Sequence, residues 1–351
     1  MPAAKTAASS SVLVADIGGT NCRFQLWELG ADLAPGKMAV EQIYQTSAYP
    51  HFDLALQAFL ATEAALLAPP AAAAFACAGP VRHGRCELTN LGWTVDAAEV
   101  TARFGIRARV LNDFEAVGYG VPALARRDLL PLHDVPAEPR GPIAVLGPGT
   151  GLGEAQLFWD DALAGYRVHP SEGAHATFAP RGWKQRALQA AVEAERGHCS
   201  VERVACGSGL VRIYQFLHSD EPSNRPASRP MPTPTPAEVS AAALRGDDPA
   251  AVEALDLLLA IVGAEASHAA LRGLTTGGVY IAGGIFPKVV DRVKAGGVLE
   301  AFLWKASRFH DKVLRHVPLY VVLEERVGLL GCRAQAIQLA AQAADDVHIA
   351  T

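Results

Sequence analysis

Apolar and polar positions along the chain switch between a period of two and a period near 3.6. Ser11 to Ala15 is a short β-rich apolar run, Asp16 to Asn21 is a turn segment, and Cys22 to Trp27 alternates, which together predict a hairpin. Leu54 to Leu67 has helical spacing and must stop before Pro69-Pro70. Ala72 to Ala78 and Arg107 to Leu111 predict short buried strands ending at Gly79-Pro80 and Asn112-Asp113. Ile143 to Leu146 predicts a strand that enters the glycine-rich stretch Gly147 to Gly153, and Glu154 to Trp159 resumes a strand pattern. A strand, a Gly/Thr turn and a second strand thus occur twice, the pattern of an internal duplication. Trp183 to Arg196, Leu210 to His218, Ala237 to Ala243 and Pro249 to Leu271 read as helices, the last apolar enough to be buried. Val279 to Ala282 is a strand leading into Gly283-Gly284, Leu319 to Leu323 another, and Leu329 to Ala343 a closing helix. Alternating strands and helices place the chain in the α/β class. No solenoid period is visible. Residues 220–236 are rich in Pro and Ser without periodic apolar positions, and predict a surface loop dispensable for chemistry.

Composition narrows the function classes. The chain has 351 residues, of which 50% are hydrophobic and 19% charged, enough to bury a large core. At about 150 residues per domain, two domains are expected. Thirty-one basic against 36 acidic residues leave a net charge of −5, which argues against nucleic acid or an anionic membrane as the main partner. One small phosphorylated ligand remains compatible with that balance. The six cysteines form no C-x-x-C pair, and a reducing compartment is the simpler reading. Residues 1–11 lack the apolar run of a signal peptide, and no window reaches membrane-spanning length, so a cytoplasmic protein is expected.

Five segments can carry chemistry. In Asp16-Ile17-Gly18-Gly19-Thr20 a carboxylate stands at a strand end beside an open turn, able to hold Mg²⁺ through water while free N–H groups face phosphate oxygens. An ordinary hairpin turn would look the same. Gly147 to Gly153 alternates glycines after a strand, yet Leu152 breaks the Rossmann pattern and the P-loop lysine is missing. A phosphate-cradling turn or a merely flexible one remains. Asn112-Asp113 follows an apolar strand, at the sheet edge where α/β proteins bind ligands, so Asp113 suits a general base and Asn112 a hydroxyl reader. A helix N-cap explains the same pair. Glu172 and His175, with Glu202 downstream, can converge on one small polar ligand or stand as solvated surface residues. Gly283-Gly284 closes a buried strand and opens a helix, fit for a ligand's close approach or for a tight turn.

Taken in order, these segments resemble one family, the bacterial-type ATP-dependent glucokinases of the hexokinase, actin and Hsp70 superfamily. The resemblance spans about Val12 to Gln338 and is carried by Leu111 to Ala116, Gly149 to Gly153 and Ala282 to Ile285. It implies a two-domain actin-like (ribonuclease H-like) α/β fold with an interdomain cleft that closes on the sugar. The small domain would comprise 11–123 plus 324–351 and the large one 124–323. By resemblance, Ala15, Asp16, Ile17, Gly18, Gly19 and Thr20 form the first phosphate loop. Gly149, Thr150 and Gly151 belong to the second, and Gly283, Gly284 and Cys206 to Leu210 line the adenosine site. Asp113 would take the proton from the glucose 6-hydroxyl, Asn112 would fix neighbouring hydroxyls, and Glu172, His175 and Glu202 would read the far end of the ring. Substrates would be glucose and ATP with Mg²⁺ held by Asp16 through water. A homodimer in the cytoplasm, at the first step of glycolysis, is implied.

Three positions depart from the family pattern: Pro148, which lacks an N–H, Ala174 and Ser208. The zinc segment of the repressor-containing sugar kinases is absent, which disfavours that branch and a polyphosphate donor. A related hexose or amino-sugar kinase is the nearest alternative. A non-catalytic sugar sensor on the same fold is the alternative of another class, disfavoured because Asp113 is retained and no basic cluster precedes the first strand.

Overall fold

The computed structural model describes residues 10–30, 33–88, 91–219, 233–305 and 308–349. The chain divides into two compact units, 1–124 with 326–351, and 125–325. In chain order the first unit holds strands β1 (Ser11–Ile17), β2 (Asn21–Leu29) and β3 (Pro35–Gln45), helices α1 (Phe52–Leu60) and α2 (Glu63–Leu67), and β4 (Pro70–Cys77). It continues with β5 (Val81–Arg82), β6 (Arg85–Leu88), β7 (Trp93–Asp96), α3 (Ala97–Phe104), β8 (Arg107–Asn112) and α4 (Asp113–Gly120). The second unit holds β9 (Leu129–His133), β10 (Ile143–Pro148), β11 (Leu152–Asp160), β12 (Gly165–Ser171), α5 (Gly182–Arg196), α6 (Gly207–Ser219), α7 (Pro236–Arg245) and α8 (Pro249–Gly273). It ends with β13 (Gly278–Ile281), α9 (Val290–Lys294), α10 (Gly297–Leu303), α11 (Arg308–Lys312) and β14 (Leu319–Val322), before α12 (Val327–Ile349) returns to the first unit.

The two main sheets share a plan. In the first unit the order is β3-β2-β1-β4-β8, with the first three strands antiparallel and β4 and β8 parallel to β1. In the second it is β12-β11-β10-β13-β14-β9, again an antiparallel trio followed by two parallel strands, with β9 added antiparallel at the edge. The Gly18–Thr20 turn, shorter than the predicted Asp16 to Asn21 because Asp16 and Ile17 still pair with β2, joins β1 to β2, and the Gly149–Gly151 turn joins β10 to β11, so the two glycine turns hold equivalent places. This agrees with the duplicated strand–turn–strand pattern of the sequence.

Period-two patterning explains β4, whose sequence is nearly all alanine. Ala73, Phe75 and Cys77 enter one core with Phe24, Phe52 and Trp93, while Ala72, Ala74 and Ala76 face the other with Leu329, Cys332, Ala336 and Ala340 of α12. Those α12 positions recur at helical spacing on one face. Small residues on the α12 side let that helix lie close to the sheet. The aromatic side is filled by rings in contact, Phe24 on Phe59 and Phe52 on Phe75, each at 5.2 Å between centroids. In the second unit α8 is buried on most sides, from Ala251 to Ala270, and caps itself through Asp248, whose carboxylate accepts from Ala250 and Ala251 N–H.

The structure differs from the sequence pattern in places. Leu54 to Leu67 is two helices, because Thr62 adopts an extended backbone and its hydroxyl bonds to Phe59 O at 2.8 Å. Leu66 and Leu67 kept the helical spacing without a core to face, and are exposed. Strands β3, β5 to β7, β9 and β12 and helices α3, α4, α9, α10 and α11 are additional to the elements the pattern predicts, although α3 carries a legible signal in its Asp96 N-cap and its Gly105 C-cap. Gly283-Gly284 opens a 3₁₀ turn, Phe286–Val289, ahead of the short α9. Of the Pro/Ser-rich segment, residues 220–232 lie outside the described residues, and Pro236 is already the first residue of α7, behind a Thr235–Glu238 capping box. Among the described residues, no helix is long and apolar enough to cross a membrane.

Helices α4 and α12 touch backbone to backbone. A Cβ on Gly331 would fall on Ala116 O, and one on Gly120 would fall 2.0 Å from Val327 O. Gly331→Ala must therefore push α4 away from α12, a loss of about 1–3 kcal/mol or more in a denaturant titration. Gly297→Ala, at an α10 position with open space around it, is the matched control and should leave the midpoint within about 0.5 kcal/mol.

Candidate functional site

In the first unit the parallel strands β1, β4 and β8 end at one edge, with Ile17 in register with Cys77 and Cys77 with Asn112. Two features gather there. One is the β1–β2 turn: Gly18 N–H bonds Asn21 O at 3.0 Å, and Thr46 braces the turn from β3's end, its N–H on Thr20 O and its hydroxyl on Gly19 O, both at 3.0 Å. The other is the start of α4. Asn112 is its N-cap, with Oδ1 accepting from Phe114 N–H at 2.9 Å and Glu115 N–H at 3.3 Å. The Asn112 amide also donates to Gly79 O at 3.1 Å, and its other hydrogen is on the side of the Asp113 carboxylate, which it helps to stabilise.

Asp113, the first residue of α4, accepts from Phe114 N–H at 2.9 Å and is otherwise turned to solvent. Its pKa is raised, because the surrounding protein strips hydration from the charge even though the side chain reaches solvent; the N–H groups of Phe114 and of Asp113 itself and the Asn112 side chain oppose this. Asp16 is raised for the same reason and by repulsion from Asp113, against attraction from Arg23. Two carboxylates that repel one another at a sheet edge form a place that a cation would relieve. Among the described residues no group of three or more His, Cys, Asp or Glu side chains is arranged to hold a metal ion. A single carboxylate binding through water, with phosphate oxygens supplying other ligands, fits such a site.

In the second unit Glu172, His175 and Glu202 come together. His175 Nε2 is 3.4 Å from Glu172 Oε2, and its Nδ1 is 3.9 Å from Glu202 Oε1. Glu172 precedes a single 3₁₀ turn, Gly173–His175, that puts both side chains on one side; Glu202 opens another such turn. The second oxygen of Glu202 accepts from Leu152 N–H at 3.0 Å, the first amide after the Gly149–Gly151 turn. One carboxylate therefore holds the glycine turn and faces the histidine.

The turn itself is shorter than the glycine pattern suggested. Gly147 and Pro148 belong to β10, and Leu152 and Gly153 to β11, so that only Gly149 to Gly151 are free. Pro148 pairs with Leu152 in the ladder, and its missing N–H falls in the strand and not at the turn. Gly207 N–H bonds Gly149 O at 2.9 Å, which pins the start of α6 to the turn. Gly283, at φ +90°, packs on Pro148 O, where a Cβ would come within 2.7 Å. Beside these groups opens a cavity of about 910 Å³ lined by Gly149, Thr150, Gly207, Ser208, Gly284, Arg196, Arg212 and Lys288, among others. A second hollow of about 460 Å³ shares Gly284 and Lys288 and is lined more by apolar residues, Leu210, Ala237, Ala241 and Leu244 among them. Glu195, also on the wall, pairs with Arg196 at 2.8 Å, so Arg212 and Lys288 leave the cavity with a positive excess, and such a cavity next to an apolar one has the chemistry to hold a nucleotide. Gly151, Gly283, Cys206 and Gly209 are not among the lining residues. Thr233 to Pro236, the end of the Pro/Ser-rich segment, do line the cavity, so these four are not remote from the site. Arg196, Arg212 and Lys288 had no motif to mark them. Another cavity, about 740 Å³ around Arg181, Asp256, Arg292 and Trp304, holds none of the expected residues, and its Asp256 is paired with Arg292 at 2.5 Å.

Comparison with known proteins supplies the rest. The glucokinase family model matches residues 13–339. The chain belongs to the glucokinase family. It is 36% identical to a glucokinase of Synechocystis sp. over 93% of this chain and 98% of that one, and 37% identical to one of Chromohalobacter salexigens over 92% and 96%. A crystal structure of glucokinase from an Antarctic psychrotroph superposes with a TM-score of 0.81 at 28% identity, over 93% of this chain and 98% of that one. The fold is the two-domain actin-like α/β fold, and the activity is ATP-dependent phosphorylation of glucose, as the resemblance of the sequence implied.

One buried group has no place in the expected site. Glu154 on β11 is 8% exposed and is raised to about 7, first by burial and then by repulsion from Glu265, with Arg272 opposing. A carboxyl raised from 4.5 stabilises the fold while neutral, and that contribution disappears as pH rises from about 4.5 through about 7. The loss amounts to roughly 3 kcal/mol at about 1.4 kcal/mol per unit. Glu154→Gln should gain stability over wild type through this window and keep a constant difference above it, read as unfolding midpoints against pH. A difference that does not change with pH would exclude the titration.

Proposed function

We propose that Asp113 is the general base of a glucose 6-kinase and that Asn112, Glu172, His175 and Glu202 hold the sugar. The observation that carries the reading is the joint role of Glu202, which contacts His175 and fixes the Leu152 N–H of the second glycine turn. A sugar held by Glu202 and His175 is thereby tied to the loop that would cradle the phosphates. Asp113 accepts the 6-hydroxyl proton as the oxygen attacks, and its partly desolvated carboxylate is a stronger base than an exposed one. Asn112, fixed by its cap bonds, would turn to a neighbouring hydroxyl the amide hydrogen that otherwise supports Asp113.

The donor half follows the same logic. The Ala15–Thr20 segment would face the phosphates with its Gly19–Thr20 turn, since Ala15 to Ile17 are laddered in β1 and the Gly18 N–H is bonded to Asn21 O. The second turn would do so at Thr150 and Gly151, the Gly149 N–H being bonded to Gly151 O. Gly284, backed by Gly283, would hold the nucleoside with Gly207 and Ser208. Arg212 and Lys288 add positive charge at the cavity wall. Phosphoryl transfer requires positioning and charge neutralisation more than covalent help, so the missing P-loop lysine is no obstacle. Asp16 would hold Mg²⁺ through water, and the ion would supply charge neutralisation at the phosphates. The enzyme would act in the cytoplasm, at the first step of glycolysis, as a homodimer.

The test is ADP release from Mg-ATP against a panel of hexoses. Glucose should stimulate it most. Asp113→Asn should lower turnover about 10²- to 10⁴-fold while calorimetry shows glucose binding retained. Near-normal turnover in that variant would remove Asp113 as the base, and stimulation by another hexose alone would correct the acceptor.

A further inference from the structure

Behind the turn that carries Glu172 and His175 lies a carboxylate that the proposed reaction does not use. Glu154 stands on β11 in register with Leu146 of β10 and Ser171 of β12. Its Oε1 has no hydrogen-bond partner among the described residues. Its Oε2 occupies the space beside Gly173, where a Cβ would come within 2.3 Å of it. The Gly173 N–H bonds Ser171 Oγ at 2.9 Å, and the same residue begins the 3₁₀ turn that ends at His175. A larger residue at 173 would have to displace the Glu154 side chain, so the carboxyl and the glycine share this seat.

The charges around Glu154 are defined. From α8, Glu265 bonds His268 Nδ1 and Arg272 Nη1, both at 2.9 Å. Burial works to raise Glu265, but those two partners outweigh it and hold it ionised. Leu146 and Ser171, the register neighbours, carry no charge. Further along β12 stand His169, packed on Phe158, and Arg167, bonded to Asp160 at 2.7 Å. From the turn come Glu172 and His175, paired with each other.

We propose that Glu154 is a positioning residue of the sugar turn: its neutral carboxyl seats Gly173 and so presents Glu172 and His175 to glucose. The inference rests on the assignment of that turn to the sugar. Ionised, Glu154 would place a second negative charge near Glu265 with an oxygen that has no donor, an arrangement relieved only by moving toward water. Such a movement withdraws the support under Gly173 and shifts the turn. Glucose affinity then weakens as pH rises through about 7, whereas ATP, held by other residues, does not follow.

The experiment measures glucose KM, ATP KM and turnover on both sides of about pH 7 for the wild type, Glu154→Gln and Glu265→Gln. Wild-type glucose KM should rise several-fold on the alkaline side with no matching step in ATP KM. Glu154→Gln should keep the low glucose KM throughout. Glu265→Gln should move the step to lower pH, because the repulsion that delays ionisation is gone. A glucose KM in Glu154→Gln that still tracks the wild type overturns the positioning role, as does a wild-type KM with no step. If Glu154→Gln does not fold, an unmoved step in Glu265→Gln overturns it independently. Wild type that phosphorylates no sugar would instead overturn the function on which the inference rests, so the two failures are told apart.

Discussion

The bond from Leu152 N–H to the Glu202 carboxylate is the constraint on which the second unit's chemistry depends. A glycine turn has little shape of its own, and Gly149 to Gly151 are held from two directions. Gly207 N–H draws Gly149 O toward α6, and Glu202 fixes the amide where β11 begins. The other oxygen of Glu202 faces His175 at 3.9 Å, so the glycine turn and the histidine stand on either side of one carboxylate. Charge-assisted bonds of this kind are stronger than neutral ones and direct a side chain as well as hold it. The same carboxylate therefore serves recognition and preorganisation.

The first unit solves an analogous problem by backbone packing. Its candidate base sits on the first turn of α4, and α4 is fixed where Gly120 and Gly331 let two helices meet without side chains between them. The alanines of β4 allow α12 the same closeness to the sheet. Rigid support of this sort keeps a functional group within the small tolerance that transfer chemistry demands. Asp16 and Asp113 repel one another across that support, a destabilising arrangement typical of sites built for function over stability.

Glu154 shows the same trade inside the second unit. A carboxyl with an unpartnered oxygen is an expensive way to fill space behind a glycine, and an apolar residue would be more stable. A titratable group there couples the shape of the turn to pH, which an apolar one could not do.

The order of the motifs was enough to reveal the family resemblance, and the fold and the activity followed from that resemblance. Strand–turn–strand twice, Asn112-Asp113 between, and Gly283-Gly284 late are local patterns, and local patterns are readable because backbone preference and turn chemistry act over a few residues. Asn112 shows the limit of that reading, since cap and hydroxyl reader explain the same residue in the sequence, and the structure shows the cap. The convergence of Glu172 and His175 with Glu202, the cations Arg196, Arg212 and Lys288 on one cavity wall, and the buried state of Glu154 are decided by chain crossings many residues apart. A glutamate in an alternating strand looks the same whether it faces water or α8. Only packing places Glu265 near it and Gly173 against it, because burial and the distance between charges belong to the folded chain and not to the residue.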